Sequence, residues 1–201
     1  MMIGLMLALA SAASQPKFLK HPIVPDDYPT SAFRNGEQGF ELANVLISPT
    51  GSVERCEILV PSKFRDLDDT TCALLMKAKV APAKDRSGNA VYGLIRKWMS
   101  WSIGASIQVP VSADVTLTVN HLPPRLTTLP MSKLTLVVDA SGKVESCEVS
   151  TSSGNPSLDS EACLAGVPAA NVEAIKDVSG NAVRAVIPLD VAFSTAAPEA
   201  K

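Results

Sequence analysis

An internal repeat constrains the fold of this chain more than any other feature. The stretch GSVERCEILVPSKFRDLDDTTC at residues 51–72 returns as GKVESCEVSTSSGNPSLDSEAC at residues 142–163, a fixed offset of 91. The pentapeptide SGNAV also recurs, at residues 87–91 and 179–183, with one residue inserted between the copies. Solenoid repeats run to roughly 20–50 residues, so this period is too long for one. The repeat predicts two small domains of the same fold.

The four cysteines are divided equally between the two copies. Cys56 and Cys72 are 16 residues apart, and so are Cys147 and Cys163. Among the three connectivities that four cysteines allow, equal spacing favours one disulfide within each copy. Each bond would close a short loop and stabilise its domain by ~3 kcal/mol in the chain-entropy model. The alternative is four buried thiols that act as small apolar residues.

The amino terminus is predicted to be an export signal. Residues 1–14, MMIGLMLALASAAS, form an apolar run followed by small residues, although no Lys or Arg precedes the run. Ala10-Ser11-Ala12 fits an A-x-A cleavage site, and Ala8-Leu9-Ala10 and Ala12-Ala13-Ser14 also qualify. The run is shorter than the roughly 20 apolar residues of a spanning helix. A clipped start or an uncleaved anchor are the alternatives to a cleaved signal.

Each copy is predicted to have the order strand, strand, helix, strand. In the first copy the elements are residues 40–48, 53–60, 66–80 and 90–103, and in the second they are 134–139, 144–150, 157–166 and 183–193. The second helix is expected to be short because Gly166 and Pro168 interrupt it. The fold class is therefore α+β, with two tandem domains that each pack one helix on a three-stranded antiparallel sheet.

This pattern divides the chain into six segments. They are a signal peptide (1–14), a linker (15–27), a first domain (28–104), a linker or extra strand (105–125), a second domain (126–195) and a tail (196–201). The proline-rich linker 15–27 reaches only ~45 Å when fully extended.

The third strand of each copy is the candidate sheet edge. Pro188 lies inside the last strand, and a proline within a strand is tolerated essentially at an edge, because its missing N–H breaks no ladder bond there. In the first copy, one face of the third strand is predicted to be core. The opposite face carries Tyr92, Leu94, Arg96 and Trp98.

The ordered motifs of the first copy resemble the C-terminal domain of TonB-type energy transducers. They are Tyr28-Pro29, Gly39, Gly51-x-Val53, Leu67-Asp68, Pro82-Ala83, Asp85, Ser87-Gly88-Asn89 and a closing strand to Trp101. The second copy resembles the family through Gly142-x-Val144, Ser152-Ser153-Gly154, Leu158-Asp159, Pro168-Ala169 and Ser179-Gly180-Asn181. It lacks the Tyr-Pro opening, so its assignment rests more on internal symmetry.

The resemblance implies a periplasmic protein of a Gram-negative bacterium. A transducer of this family needs an inner-membrane helix and a long arm across the periplasm, so the short linker implies a stand-alone exported protein that does not transmit force. Members of this family bind a short segment of an outer-membrane receptor, which adds as a strand along the sheet edge. Tyr92, Leu94, Arg96 and Trp98 are then the candidate partner-binding residues, with Trp98 as an anchor. Alternatively, these side chains pack on the neighbouring domain or on residues 104–125.

The sequence favours binding over catalysis. His21 and His121 lie outside the repeated blocks and neither copy contains C-x-x-C, so we expect no metal, no cofactor and no enzymatic activity. Asp68, Asp69 and Asp159 are interpreted as helix caps. A formal net charge of −2 gives no reason to expect nucleic acid. Two functions remain: a periplasmic peptide-binding module linked to TonB-dependent transport, or a structural envelope protein whose sheet edges are used internally.

Overall fold

The computed structural model describes residues 11–104, 107–122 and 129–195. Residues 1–10 of the predicted signal peptide, parts of the interval 105–125 and the predicted tail lie outside the described residues. The described chain forms twelve strands and four α-helices, which confirms the α+β class. The strands are β1 (Lys17–Phe18), β2 (Gly39–Ile47), β3 (Val53–Val60), β4 (Val80–Ala81), β5 (Ala83–Lys84), β6 (Ala90–Trp101), β7 (Val115–Val119), β8 (Met131–Val138), β9 (Val144–Thr151), β10 (Ile175–Lys176), β11 (Ala182–Val183) and β12 (Ala185–Thr195). The helices are α1 (Thr30–Asn35), α2 (Arg65–Leu75), α3 (Pro156–Glu161) and α4 (Val167–Ala170).

Strand β2 is the centre of the first half, with β3 on one side and β6 on the other. Alternate β2 residues point to the same face, and Ala43, Val45 and Ile47 pack there with Leu75 of α2. Helix α2 ends at Leu75, earlier than the predicted end at Val80. The reason is that Val80 is drawn into a strand, where it pairs with Phe18 of β1.

The second half repeats this plan with β8, β9 and β12. The expectation that Gly166 and Pro168 break its helix is wrong, because a π-helical turn at Ala162–Gly166 connects α3 directly to α4. Pro168, the second residue of α4, follows this π-helical turn directly, so the irregular helical turn lies just before the proline. Gly166 permits close packing, since a Cβ there would lie 2.9 Å from Cγ2 of Val191.

Both predicted disulfides are present. Cys56 of β3 is bonded to Cys72 of α2, with Cα atoms 5.5 Å apart. Cys147 of β9 is bonded to Cys163 of the π-helical turn, with Cα atoms 5.9 Å apart. Each bond ties an outer strand to the helical layer, as the equal spacing indicated.

The recurring Ser-Gly-Asn motif forms the same turn in both halves. The backbone N–H groups of Ser87 and Asn89 donate to Oδ1 of Asp85, at 2.9 and 3.0 Å. Ser179 and Asn181 donate in the same way to Asp177, at 2.9 and 2.8 Å. The motif recurs because a carboxylate two residues before it caps the turn.

The two halves share one sheet, which differs from the expectation of two separate three-stranded sheets. Its strand order is β3-β2-β6-β12-β8-β9, and the halves meet where β6 and β12 pair in parallel. The predicted edge position of the last strand is therefore wrong. Strand β12 pairs with β8 on one side, and on the other it pairs with β6 at Ala185 and Val186 and with β7 from Val191 onward. Pro188 is tolerated because it lies in the gap between those two pairings.

The helical layers of the two halves lie on opposite faces of this sheet. Val45 faces α2, whereas its neighbour Leu46 points to the other face and packs with Leu94 in the core cluster of the second half. In return, Val137 and Val186 of the second half pack with Ala83 of the first. Each half thus covers the sheet face of the other half that carries no helix of its own.

Candidate functional site

A cleft of about 850 Å³ opens between β6 and β12 beyond their short contact. The two strands pair only at Tyr92 with Ala185 and at Gly93 with Val186. After this point they diverge, and residues 110–114 lie between them. The walls include the side chains of Arg96, Trp98, Met131 and Asp190.

Strand β6 supplies the most regular backbone along the cleft. It pairs with β2 over nine residues without a register shift, from Gly39–Trp101 to Ile47–Gly93. Its other strand pairings within the described residues are with β5 at Ala90 and Val91 and with β12 at Tyr92 and Gly93. The stretch Leu94–Trp101 therefore has one side without a strand partner in the described part of the chain. A row of unpaired backbone groups is a template for an added strand.

The four predicted partner-binding residues occupy different environments. Tyr92 is half-buried at the contact with β12, and Leu94 is buried in the core of the second half. Arg96 forms an ion pair with Asp114. Trp98 donates its Nε1 hydrogen to Oγ of Ser112 at 3.1 Å. Only Arg96 and Trp98 line the main cleft, and the role of all four in partner binding stays a prediction.

Trp98 is held by an aromatic neighbour. Its ring packs edge-on against Phe40, with centroids 5.5 Å apart. An edge-to-face contact of this kind orients the indole ring without covering both of its faces. The side chain is half-buried, so part of it stays available to a ligand in the cleft.

Polar residues that were not predicted from the sequence connect the walls of the cleft. The N–H of Asp114 donates to the carbonyl of Asp190 at 2.8 Å, and the N–H of Asp190 donates to Oδ2 of Asp114 at 2.8 Å. Nζ of Lys133 lies 3.0 Å from Oδ2 of Asp190. Asp114 thus fills the place of a strand residue beside β12, just before β7 begins. The only sequence signal for it was its position before the Val-Thr alternation of residues 115–119.

A buried glutamate, Glu41 of β2, lies between the sheet and helix α2 in the first half. Oε1 of Glu41 accepts hydrogen bonds from Oγ1 of Thr71 at 2.5 Å and from Nε1 of Trp101 at 3.0 Å. Burial raises the pKa of Glu41, although these two hydrogen bonds oppose the change. The positions equivalent by the repeat offsets are Ser132, Ala162 and Phe193. This polar cluster therefore distinguishes the first half from the second.

The interpretation of Asp68, Asp69 and Asp159 as helix caps needs correction. The N-cap residues are Phe64 for α2 and Asn155 for α3, and the Asn155 side chain accepts from the helix. Asp68 and Asp159 instead accept from the backbone N–H of Ser62 and Ser153, at 2.9 and 2.8 Å. They hold the chain that leads into each helix. Asp69 forms an exposed pair with Arg65.

The carboxylate of Asp159 is stabilised by several donors. Besides the N–H of Ser153, the hydroxyls of Ser152 and Ser132 donate to it, at 2.5 and 2.7 Å. Burial alone would raise the pKa of Asp159, but these hydrogen bonds outweigh it and lower the pKa to about 2. The Asp159 carboxylate thus connects α3 to strand β8 and to the chain segment that leads into α3.

Comparison with known proteins finds a similarity in the first half. Residues 24–102 match the family model described as Gram-negative bacterial TonB protein C-terminal. This part of the chain is similar to the TonB C-terminal family. The match runs from α1 through β6 and includes the open stretch Leu94–Trp101. It covers less than half of the chain, and the assignment of the second copy to the family stays a prediction.

The TonB C-terminal match and the two disulfides indicate a protein of the periplasm or cell envelope. No curated protein and no solved structure matches the chain. Across the described ranges, every helix is too short or too polar to cross a bilayer.

Proposed function

We propose that the protein is a non-enzymatic periplasmic module that captures an extended peptide as an added strand along β6, between Leu94 and Trp101. The first candidate for the peptide is a segment of an outer-membrane receptor. One observation carries the proposal. In the half that matches the TonB C-terminal family, β6 pairs with β2 over nine residues without a register shift, and its stretch Leu94–Trp101 has no strand partner on the other side among the described residues.

The outer strands β3 and β9 are poorer templates. Each makes two register shifts against its neighbour, at Leu42/Ala43 and Leu46/Ile47 for β3 and at Lys133/Leu134 and Val137/Val138 for β9. Bulges of this kind twist an edge and interrupt its row of backbone groups. The β2–β6 ladder contains no such shift, which supports β6 as the template.

The side chains around β6 suit an extended ligand. Trp98 offers a large aromatic surface beside Arg96, and both residue types are common among the anchors of protein interfaces. The ligand would run where residues 110–112 now lie. Val111 is 83% exposed, so this segment buries little apolar surface there and its displacement is inexpensive.

A second candidate function is a structural role in the envelope. It is favoured by the parallel pairing of β6 with β12 and by the addition of β7 to β12, because both use strand edges within the chain. In this case the cleft would stay closed to partners.

Site-specific photocrosslinking tests the two functions. A photoreactive aromatic residue is placed at Trp98 in the exported protein, and at the exposed Leu59 on β3 as the matched control. Strand capture predicts a defined adduct at position 98, in which the attached peptide maps to one extended segment of an envelope protein. Adducts at position 59 alone would refute the choice of β6. The absence of adducts at both positions would favour the structural role.

Hydrogen exchange gives an independent measurement. Once the crosslinked segment is known, a synthetic copy should slow amide exchange within Leu94–Trp101 and leave exchange in β3 and β9 unchanged. Protection in β3 or β9 instead would place the bound strand on an outer edge.

A further inference from the structure

The segment Ala13–Phe18 crosses the junction between the two halves. Ser14 and Lys84 exchange backbone hydrogen bonds at 2.8 and 3.0 Å, and Lys17–Phe18 pairs with β4. On the other half, Nε2 of Gln15 donates to the carbonyl of Leu134 at 3.2 Å and to Oγ1 of Thr135 at 3.0 Å. We call residues 13–18 the strap. It is the first part of the described chain that touches both halves.

The first residue of the strap, Ala13, contacts the carboxylate of Glu148. The backbone nitrogen of Ala13 donates to Oε2 of Glu148 at 3.1 Å, and Nε of Arg86 lies 3.4 Å from Oε1 of the same side chain. The Glu148 side chain is 25% exposed. An amide at this position brings only a partial positive charge to the carboxylate. An α-ammonium group would bring a full charge, and hydrogen bonds between charged groups are roughly twice as strong as neutral ones.

The three possible cleavage sites have different consequences for this contact. Cleavage after Ser14 would remove both the Ala13 contact with Glu148 and the pairing of Ser14 with Lys84. Cleavage after Ala10 would leave the nitrogen of Ala13 as an uncharged amide. Cleavage after Ala12 retains the whole strap and places the new amino terminus at Glu148. Ser11 and Ala12, the residues removed by that cut, are exposed.

We propose that signal peptidase cleaves the chain after Ala12, and that the new ammonium group of Ala13 forms an ion pair with Glu148 that fastens the strap across both halves. In this step water hydrolyses the peptide bond between Ala12 and Ala13. The hydroxyl adds to the Ala12 carbonyl carbon, which becomes a carboxylate, and the Ala13 nitrogen takes up protons to become the ammonium. The inference rests on the export that is part of the proposed function.

Intact-mass measurement locates the cut. The full chain is expressed in a Gram-negative host, and the periplasmic and cytoplasmic fractions are measured without reductant. The expected mass is that of Ala13–Lys201 with two disulfides, found in the periplasm. A periplasmic protein that begins at Ser11, Gln15 or elsewhere would overturn the cleavage site and leave peptide capture untouched. Full-length protein retained in the cytoplasm would overturn both the cleavage site and the proposed export.

A double-mutant cycle tests the ion pair itself. Chains beginning at Ala13 and at Ser11 are each prepared with Glu148 and with Glu148→Gln, and amide exchange of Lys84, which donates to Ser14, is measured. In the chain from Ala13, Glu148→Gln should speed this exchange by about two- to fivefold, the upper part of the range for an exposed ion pair. In the chain from Ser11 the effect should be clearly smaller. Equal effects in both chains would overturn the ion pair. Glu161→Gln on α3, a matched loss of one charge, should leave Lys84 exchange unchanged.

Discussion

Tyr92 lies opposite Ala185 in a parallel pair, and this contact joins the corresponding third strands of the two halves. Parallel pairing of equivalent edges relates the halves by a half-turn about the strand direction. Such a half-turn reverses the faces of the sheet, which explains why α2 and α3 lie on opposite sides. The pairing is only two residues long, and the divergence that follows it creates the cleft.

Gly93→Ala should destabilise the protein by ~1–3 kcal/mol, the usual cost of forcing extra volume into a packed site. A Cβ at Gly93 would lie 2.7 Å from Cβ of Ala83 and 2.8 Å from Cγ of Pro16. Urea unfolding of the variant measures the loss. Ser100→Ala, at an exposed position of the same strand, is the control and should change little. An unaltered midpoint for Gly93→Ala would mean that the strap does not pack against β6.

Removal of either disulfide should reduce stability by ~2–4 kcal/mol, because both bonds close loops of the same length. The test compares Cys56→Ala/Cys72→Ala with Cys147→Ala/Cys163→Ala by urea unfolding without reductant. The sequence separation is 16 in both cases, so each double variant serves as the control for the other. A loss in only one variant would contradict the chain-entropy explanation.

Glu41→Gln should flatten the dependence of stability on pH. Burial raises the pKa of Glu41, so the folded protein holds this proton more tightly than the unfolded chain. This contribution to stability is complete below the ordinary glutamate pKa of about 4.3 and is lost as the pH rises through the raised folded value. Unfolding free energies between pH 4 and pH 8 should therefore fall less in Glu41→Gln than in the wild type. Glu57→Gln, an exposed change on β3, should keep the wild-type slope.

Asp159→Asn should have the opposite effect on the pH dependence of stability. The pKa of Asp159 is lowered to about 2, so its contribution is present above the ordinary aspartate pKa of about 3.9 and is lost as the pH falls through about 2. At pH 7 the variant should lose ~1–3 kcal/mol, because the serine donors then face a weaker acceptor. The difference from wild type should shrink in acid. Asp69→Asn, which breaks only an exposed pair with Arg65, is the control.

The elements within each half were predictable because their signals are local. The hairpins follow from alternating apolar residues around the turns at Gly51 and Gly142, and the disulfides follow from equal cysteine spacing in the two copies. Burial of Leu46 and Leu94 by the other half could not be predicted in this way. Periodicity tells which residues share a face, but not which strand edges meet.

Two sequence signals were misread or overlooked. Pro188 indicated a missing ladder bond, and a gap within the sheet satisfies that condition as well as an edge does. Glu41 falls on the same alternating row as Ala43 and Val45, and an acidic residue on a core row was the sign of the buried cluster with Thr71 and Trp101. The irregular run before β7 gave no periodic signal, so Ser112 and Asp114 were found only from the structure.

The placement of the helices on opposite faces of the sheet also makes the stability of each half depend on the other. A fragment that ends at Trp101 would present Leu46 and Leu94 to water, and one that begins at Met131 would present Val137 and Val186. Neither fragment can bury these side chains alone. We therefore expect the halves to melt in a single cooperative transition, and a gene for one half to yield an aggregating or self-associating product.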